Sequence, residues 1–187
     1  LGENLRLTCF NPEKTHLMGH LFDPEERTSQ LMELDVETGE LTEFLSIPGG
    51  TGEGLWSPDG SMLSFKTRET GVPELRILEL DSGRITPVCN MHIGDYRWVE
   101  EPDGTLSLLF WDNEWSAWKS SIERSENGDL LIGEPTEFPF DISTSARFYT
   151  FDNRGRIFSI EPDLDEKPPN HVVVIENWLP SVLAEEN

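Results

Sequence analysis

The 187-residue chain has little positive charge: 14 Lys and Arg stand against 36 Asp and Glu, a formal net charge of −22. Binding to nucleic acid rests on cationic groups that displace counterions from phosphates, so no nucleic-acid partner is expected. Anionic membrane surfaces are disfavoured on the same ground. Cysteine is scarcer still. Cys9 and Cys89 are the only two and form no Cys-x-x-Cys pair, so the sequence encodes neither a disulfide framework nor a zinc ribbon. Two such thiols are expected to pack as small apolar groups. Long hydrophobic runs are absent too. A stretch such as Val172 to Ile175 stops far short of the roughly 20 apolar residues that span a bilayer, so no membrane insertion is expected. Leu1 to Phe10 carries no basic start followed by an apolar stretch, the pattern of a targeting segment.

What the chain does contain is apolar and aromatic material: 36% hydrophobic residues, with six Trp and ten Phe. A domain of this size hides roughly 70% of its unfolded surface, and this composition can fill such a core. The chain is therefore a folded domain and not a disordered acidic tail.

Internal repetition then decides the architecture. Four segments line up: Asn11-Pro12-Glu13-Lys14, Ser57-Pro58-Asp59-Gly60, Glu101-Pro102-Asp103-Gly104 and Asp152-Asn153-Arg154-Gly155, with last residues 46, 44 and 51 positions apart. A second landmark follows the first three, in Leu34-Asp35-Val36-Glu37-Thr38-Gly39, Leu80-Asp81-Ser82-Gly83 and Ser125-Glu126-Asn127-Gly128, with glycines 44 and 45 apart. Two independent markers thus share one period. Pro-Asp-Gly presets one turn residue near φ −65°, supplies a glycine for positive φ, and adds an Asp that bonds its own backbone. Behind such a turn, Met62 to Thr67 puts Leu63 and Phe65 on one face and Ser64 and Lys66 on the other, the period of a strand. An aromatic stands just before each turn: Phe10, Trp56, Trp98 and, with a small slip, Phe151.

Four strands in roughly 45 residues, joined by hairpins with no helical pattern between them, describe a β-propeller blade. Strands are predicted at 5–10, 15–21, 29–35 and 40–46, then at 53–56, 62–67, 74–80 and 84–88. Further strands follow at 94–99, 105–111, 115–122 and 129–133, and at 144–151, 156–160 and 171–176, fifteen in all. The fold class is all-β: four-stranded antiparallel blades, about four of them, the last short of one strand. Blades are placed at about 5–46, 53–88, 94–137 and 144–178, in one propeller domain or partial propeller.

The run Gly54-Leu55-Trp56-Ser57-Pro58-Asp59-Gly60-Ser61-Met62-Leu63-Ser64-Phe65, followed by Leu78-Glu79-Leu80-Asp81-Ser82-Gly83, resembles the Trp-Ser-Pro-Asp-Gly repeat of TolB-like, WD-related bacterial β-propellers. The likeness is strongest in the second repeat and weakest in the fourth, where Asp152-Asn153-Arg154-Gly155 replaces the motif. Val172 to Leu179 also resembles the C-terminal close of propellers carried by some bacterial Ser/Thr kinases and large multidomain proteins. The resemblance implies more than four blades in the complete ring, with missing blades or a second chain completing it; closure of these four blades into a small ring is the alternative. It also implies a periplasmic or a cytoplasmic setting, without choosing between them.

Candidate chemistry is sparse. His16 and His20 are four apart, which on a strand is about 13 Å at roughly 3.3 Å per residue, too far to clasp one metal. His92 and His171 have no acid and nucleophile beside them, and no Gly-x-Ser-x-Gly elbow is present. The cluster Gly49 to Gly54 lacks the Lys-Ser/Thr end of a P-loop and is expected to link two blades. Asp23 to Glu26 and Asp163 to Glu166 do not follow EF-hand spacing. No catalytic residue, metal or cofactor is assigned. The densest feature is Phe110 to Trp118, where Trp111, Trp115 and Trp118 accompany Asp112, Asn113 and Glu114. Aromatic anchors ringed by polar groups are what binding hot spots are made of; alternate tryptophans packed between blades are the other account of the same pattern. In a propeller this hairpin lies on the same face as the inter-blade links, which gathers Glu25, Thr51, Arg68, Glu69 and His92 beside it.

Two function classes follow. One is a non-enzymatic module that binds a protein or peptide, as resembling modules do when they scaffold an assembly or serve as the sensor part of a larger protein. With a pI near 4.3 its partner is expected to be basic, since opposite fields raise encounter rates. The other is the gating propeller of a prolyl-oligopeptidase-type serine peptidase, with its catalytic domain absent from this sequence.

Overall fold

The computed structural model describes residues 5–23, 25, 28–48, 52–69, 71, 74–112, 114, 116–138, 148–151, 157–160 and 173–175. Every regular element among them is a β-strand. The first sheet holds β1 (Leu5–Phe10), β2 (His16–Asp23), β3 (Thr28–Asp35) and β4 (Leu41–Pro48), and the second holds β5 (Gly54–Trp56), β6 (Met62–Thr67), β7 (Glu74–Glu79) and β8 (Ile85–Cys89). The third is built from β9 (Tyr96–Glu100), β10 (Leu106–Trp111), β11 (Ala117–Arg124), β12 (Leu130–Ile132) and the short β13 (Thr136–Glu137). The fourth contains β14 (Phe148–Phe151), β15 (Ile157–Ile160) and β16 (Val173–Ile175). Each sheet is an antiparallel meander in chain order, and the sheets do not close into a ring.

The turns form for the reasons their residues give. Gly60 and Gly104 take φ of 72° and 85°, and their N–H groups donate to Ser57 O (3.0 Å) and Glu101 O (2.9 Å). In the first sheet Lys14 occupies the same left-handed position at φ 60° and closes on Asn11 O at 3.0 Å. An amide or acid within each segment caps its turn, from the first position in one and the third in the others: Asn11 Oδ1 accepts from the N–H of Thr15 and His16 (both 2.9 Å), Asp59 Oδ1 from Ser61 N–H (3.1 Å), and Asp103 Oδ1 from Thr105 N–H (2.9 Å).

The core lies between the sheets. Alternation along β6 sends Leu63 and Phe65 toward the first sheet, where they meet Met18 and Leu31, while Met62 joins Leu75 and Ile77 against Tyr96, Trp98, Leu108 and Phe110 of the third. Both faces of the second sheet are therefore apolar, as a sheet covered on both sides requires. Each fully buried side chain of this size contributes about 1.5–3 kcal/mol.

Side chains from both neighbours also reach the main chain around the inner strand β5. Thr8 Oγ1 donates to Gly54 O (3.0 Å) and Cys9 Sγ to the same oxygen (3.5 Å), while Tyr96 Oη meets Glu53 O (2.8 Å) and Trp98 Nε1 donates to Leu55 O (3.0 Å). Inner strands are sheet edges whose carbonyls would otherwise lack partners. An ion-pair cluster joins the far ends of the second and third sheets. Buried Glu79 binds Arg84 Nε at 2.6 Å and Arg124 Nη1 at 2.8 Å, and Arg84 continues to Asp129 at 2.9 Å.

One outer strand departs from the prediction of a single segment over 129–133. The third sheet's outer edge is split: β12 pairs with Ile122, Glu123 and Arg124, and β13 pairs with Trp118 and Lys119, which makes sixteen strands among the described residues. Gly133 sits at the break, its N–H on Ser121 O at 2.9 Å, where a Cβ would lie 2.5 Å from Ser121 Oγ, and Pro135 follows with no N–H to give.

Candidate functional site

The strand ends define two rims. At the first, the loops between second and third strands meet the links between sheets. Trp111 does not project there: it is 1% exposed and packs with Val99, Leu109 and Ala117 on the third sheet. Trp111 pairs with Ala117 and so shares the buried face of Leu109. Trp118, opposite Phe110, packs against the core between the second and third sheets and donates Nε1–H to Asp112 Oδ2 at 2.9 Å. Asp112 Oδ1 accepts from Glu114 N–H (2.8 Å) and Ser116 N–H (2.9 Å), closing the hairpin. Burial raises the Asp112 carboxyl, but the bonds from Trp118, Ser116 and Glu114 outweigh it and hold the group below the usual carboxylate range. The local role of Asp112 is thus to shape the turn.

Thr51, Asn113 and Trp115 lie outside the described residues. Arg68, Glu69 and Glu114 are exposed at this rim, with His92 exposed on the link between second and third sheets. Glu69 is engaged: its Oε2 holds Arg76 Nη1 at 2.7 Å, while Arg76 Nη2 holds Glu74 at 2.8 Å. Arg68 offers its carbonyl to Gly71 N–H at 2.8 Å. Lys66 is a rim residue that the sequence pattern does not flag. Its ammonium binds Glu53 Oε2 (2.8 Å) and Gly94 O (3.0 Å) and lies 5.7 Å from the centre of the Tyr96 ring. Nearby, His20 is buried with no hydrogen-bond partner for Nδ1 among the described residues, and burial lowers its pKa.

The opposite rim carries the Pro-Asp-Gly turns and two clefts. An axial cleft of ≈ 520 Å³ lies among the ends of β1, β5 and β9, walled by Phe10, Pro12, Trp56, Pro58 and Trp98, with Lys14, Arg97 and Glu100 as its charged members. Arg97 is already paired with Asp95 at 2.7 Å. The second cleft, ≈ 550 Å³, runs between the turns of the second and third sheets and presents Asp59, Glu100, Asp103 and Glu123, with Arg124 as its cation. Arg124 is committed to Glu79. Pro58 and Glu100 line both clefts, so an apolar pocket at the axis adjoins an acidic track leading outward. The bonds that Thr105 gives Asp103 lower its pKa, and at Asp59 the bonds from Ser57 and Ser61 outweigh burial in the same direction, so both carboxylates stay charged.

Sequence reasoning placed candidate residues at the first rim and passed over these clefts. The signal was present in the aligned aromatics and turn acids, but those residues also explain hairpin formation fully, which left nothing in the sequence to mark a cleft between them. The two thiols are half-buried, and burial raises Cys9 and pushes Cys89 up to about 11.

No family model matches the sequence, and none of the curated proteins does. Solved structures match at the level of fold. TolB from Acinetobacter baumannii superposes with a TM-score of 0.58 at 20% identity, over 91% of this chain and 42% of that one. Oligogalacturonate lyase from Vibrio parahaemolyticus gives 0.52 at 14%, over 94% and 52%. The β-propeller domain of the Trilobed protease from Pyrococcus furiosus gives 0.51 at 15%, over 92% and 53%. The chain spans only about half of these proteins, or less, and at such identities the likeness concerns the fold alone. Antiparallel meandering sheets, the first three packed face to face and the set not closed into a ring, together with the likeness to solved propellers, make this chain a partial β-propeller.

Proposed function

We propose that this partial propeller is a non-catalytic module that binds a protein or peptide partner bearing basic residues. The observation that carries the proposal is the junction at Glu100 and Pro58, the two residues shared by a cleft walled by aromatics and a neighbouring cleft lined by four carboxylates. An extended segment with an apolar side chain at the axis and Lys or Arg beyond it fits that order of surfaces. The chain's charge of −22 favours such encounters, and rim charges act mainly on the rate of association.

The test is calorimetric titration with a Lys/Trp-containing peptide and a Glu/Trp control of equal length. The basic peptide should bind more tightly, with affinity falling as salt rises, and Glu100→Lys with Asp103→Lys should weaken it roughly tenfold, about 1.4 kcal/mol. Equal binding of both peptides, or no effect of the two substitutions, overturns the assignment. Glu114→Lys, at the opposite rim, serves as the control; loss of binding there alone would move the site to the hairpin loops around Arg68, Glu69 and His92.

A second reading is favoured by the likeness to the Trilobed protease propeller domain, namely that this chain gates a peptidase. It requires a hydrolase domain in the complete protein and predicts peptidase activity that changes when this chain is removed.

A further inference from the structure

We propose that His20 is an acid-sensitive latch at the first rim: its neutral imidazole holds the link into β5 closed, and its protonation in mild acid loosens that link together with the one into β9. The geometry begins with strand register. His20 on β2 pairs with Arg6 on β1 and with Leu31 on β3, and directly opposite residues share a face of the sheet. Its ring therefore lies on the side that carries Met18 and Leu31, which pack against Leu63 and Phe65 of the second sheet. Gly54 lies against both Met18 and Leu31, and Gly52 closes over the ring itself, where a Cβ would sit 2.8 Å from His20 Cδ2. His20 is only 8% exposed as a result.

The surroundings suit a neutral ring and no other. Nδ1 has no hydrogen-bond partner among the described residues. The charges that act on the ring come from three elements: Arg6 from β1, Glu53 from the link, and Lys66 from β6. β3 faces it with Leu31, and its own strand offers Met18 two positions away. Glu53 is already taken, because its Oε2 binds Lys66 Nζ at 2.8 Å. Lys66 also donates to Gly94 O at 3.0 Å, on the link between second and third sheets.

A proton on His20 would place a third cation beside Arg6 and Lys66 and put a hydrogen on Nδ1. A buried charge is tolerated only when it is paired and hydrogen-bonded. Protonated His20 thus competes with Lys66 for Glu53 and pushes against Gly52. Since Lys66 ties Glu53 to Gly94, both links give way together. Burial foremost lowers the imidazole from its ordinary 6.5; Glu53 opposes the shift, and Arg6 and Lys66 add to it. The stability tied to the neutral ring is therefore full above pH 6.5 and is lost as pH falls through the depressed value.

The test follows the imidazole C–H resonances of the full chain by NMR, with amide exchange at Gly52, Gly54 and Gly94 corrected for its intrinsic pH dependence. The His20 resonance, identified by its absence in His20→Gln, should titrate below pH 6.5. Exchange at the three glycines should rise several-fold from pH 7 to pH 5 in the wild type and stay flat in His20→Gln. The other histidines are common to both proteins, so their titration cancels. Titration of His20 at or above 6.5, or equal pH responses of the two proteins, overturns the proposal. Two further variants leave the ring in place: Glu53→Gln should move its titration to lower pH and Lys66→Met to higher. Absent or reversed shifts overturn it as well. These outcomes are independent of whether the groove at Glu100 binds peptide.

Discussion

Replacing Tyr96 by Phe tests whether the sheets are held together through the main chain around β5. The phenol is fully buried, and its oxygen lies 2.8 Å from Glu53 O, just before β5, and 3.0 Å from Ser64 O on β6. Phe keeps the ring in the cluster with Trp98, Leu108 and Phe110, so no cavity larger than a hydroxyl is made. What disappears is one donated hydrogen bond, a net 0.5–1.5 kcal/mol, together with about 1 kcal/mol or more for a buried carbonyl left without its donor, giving about 2 kcal/mol in all. For a chain of this length that lowers the melting temperature by roughly 4–8 °C. Urea and thermal unfolding followed by tryptophan fluorescence measure both. An unchanged midpoint would refute the pinning argument, because packing alone would then hold the sheets. The same residue makes a pH prediction. Burial first, then the Glu53 carboxylate, push the phenol well above the ordinary tyrosine value, so the wild type loses stability as pH rises past about 10. Tyr96→Phe should lack that part of the loss.

Glu79→Gln should destabilise the contact between second and third sheets at neutral pH, since it removes the carboxylate shared by Arg84 and Arg124. The bonds from these arginines, Arg84 foremost, outweigh burial and hold Glu79 below its usual range, so the contribution is full above pH 4–5 and is lost as pH falls through the depressed value. The gap in urea midpoint between wild type and variant should therefore narrow in acid; a gap that widens contradicts the pairing. Gly52→Ala should cost about 1–3 kcal/mol, because Gly52 has φ of 81° and a Cβ there would sit 2.8 Å from the His20 ring. Gly39→Ala, with φ of 73° and open space around it, should cost less in the same melt. Trp111→Ala should lower stability by about 3–5 kcal/mol, whereas an exposed binding anchor would lower affinity and leave the melt unchanged.

The strand positions were legible because each is fenced by residues with a local mechanism. Gly39, Gly60, Gly83, Gly104 and Gly128 all take positive φ where the two turn markers put them, and Lys14, aligned with Gly60, takes the same conformation without a glycine. Local signals do not reach across sheets. Tyr96 and Trp98 meet partners 43 residues away, and nothing in Tyr-Arg-Trp announces that Glu53 and Leu55 carbonyls will be the acceptors. The tryptophan hairpin shows the same boundary. Its residue types fit a binding site, but register decides the outcome: Trp111 falls on the buried side with Leu109, and Trp118 is engaged by the carboxylate of Asp112. The second pairing on that outer edge was missed because Thr136–Glu137 lies beyond the predicted segment 129–133, after Pro135, and is only two residues long.

The pins on β5 bear on how such a chain diversifies. Thr8, Cys9, Tyr96 and Trp98 hold carbonyl oxygens, and every residue type carries a carbonyl. A blade gripped in this way can drift in sequence along its inner strand without compensating changes next door, and a duplicated blade finds the same acceptors in any neighbour. Recognition of backbone in place of side chains thus accounts physically for repeats that keep their turn residues and aromatic anchors while little else is shared between them.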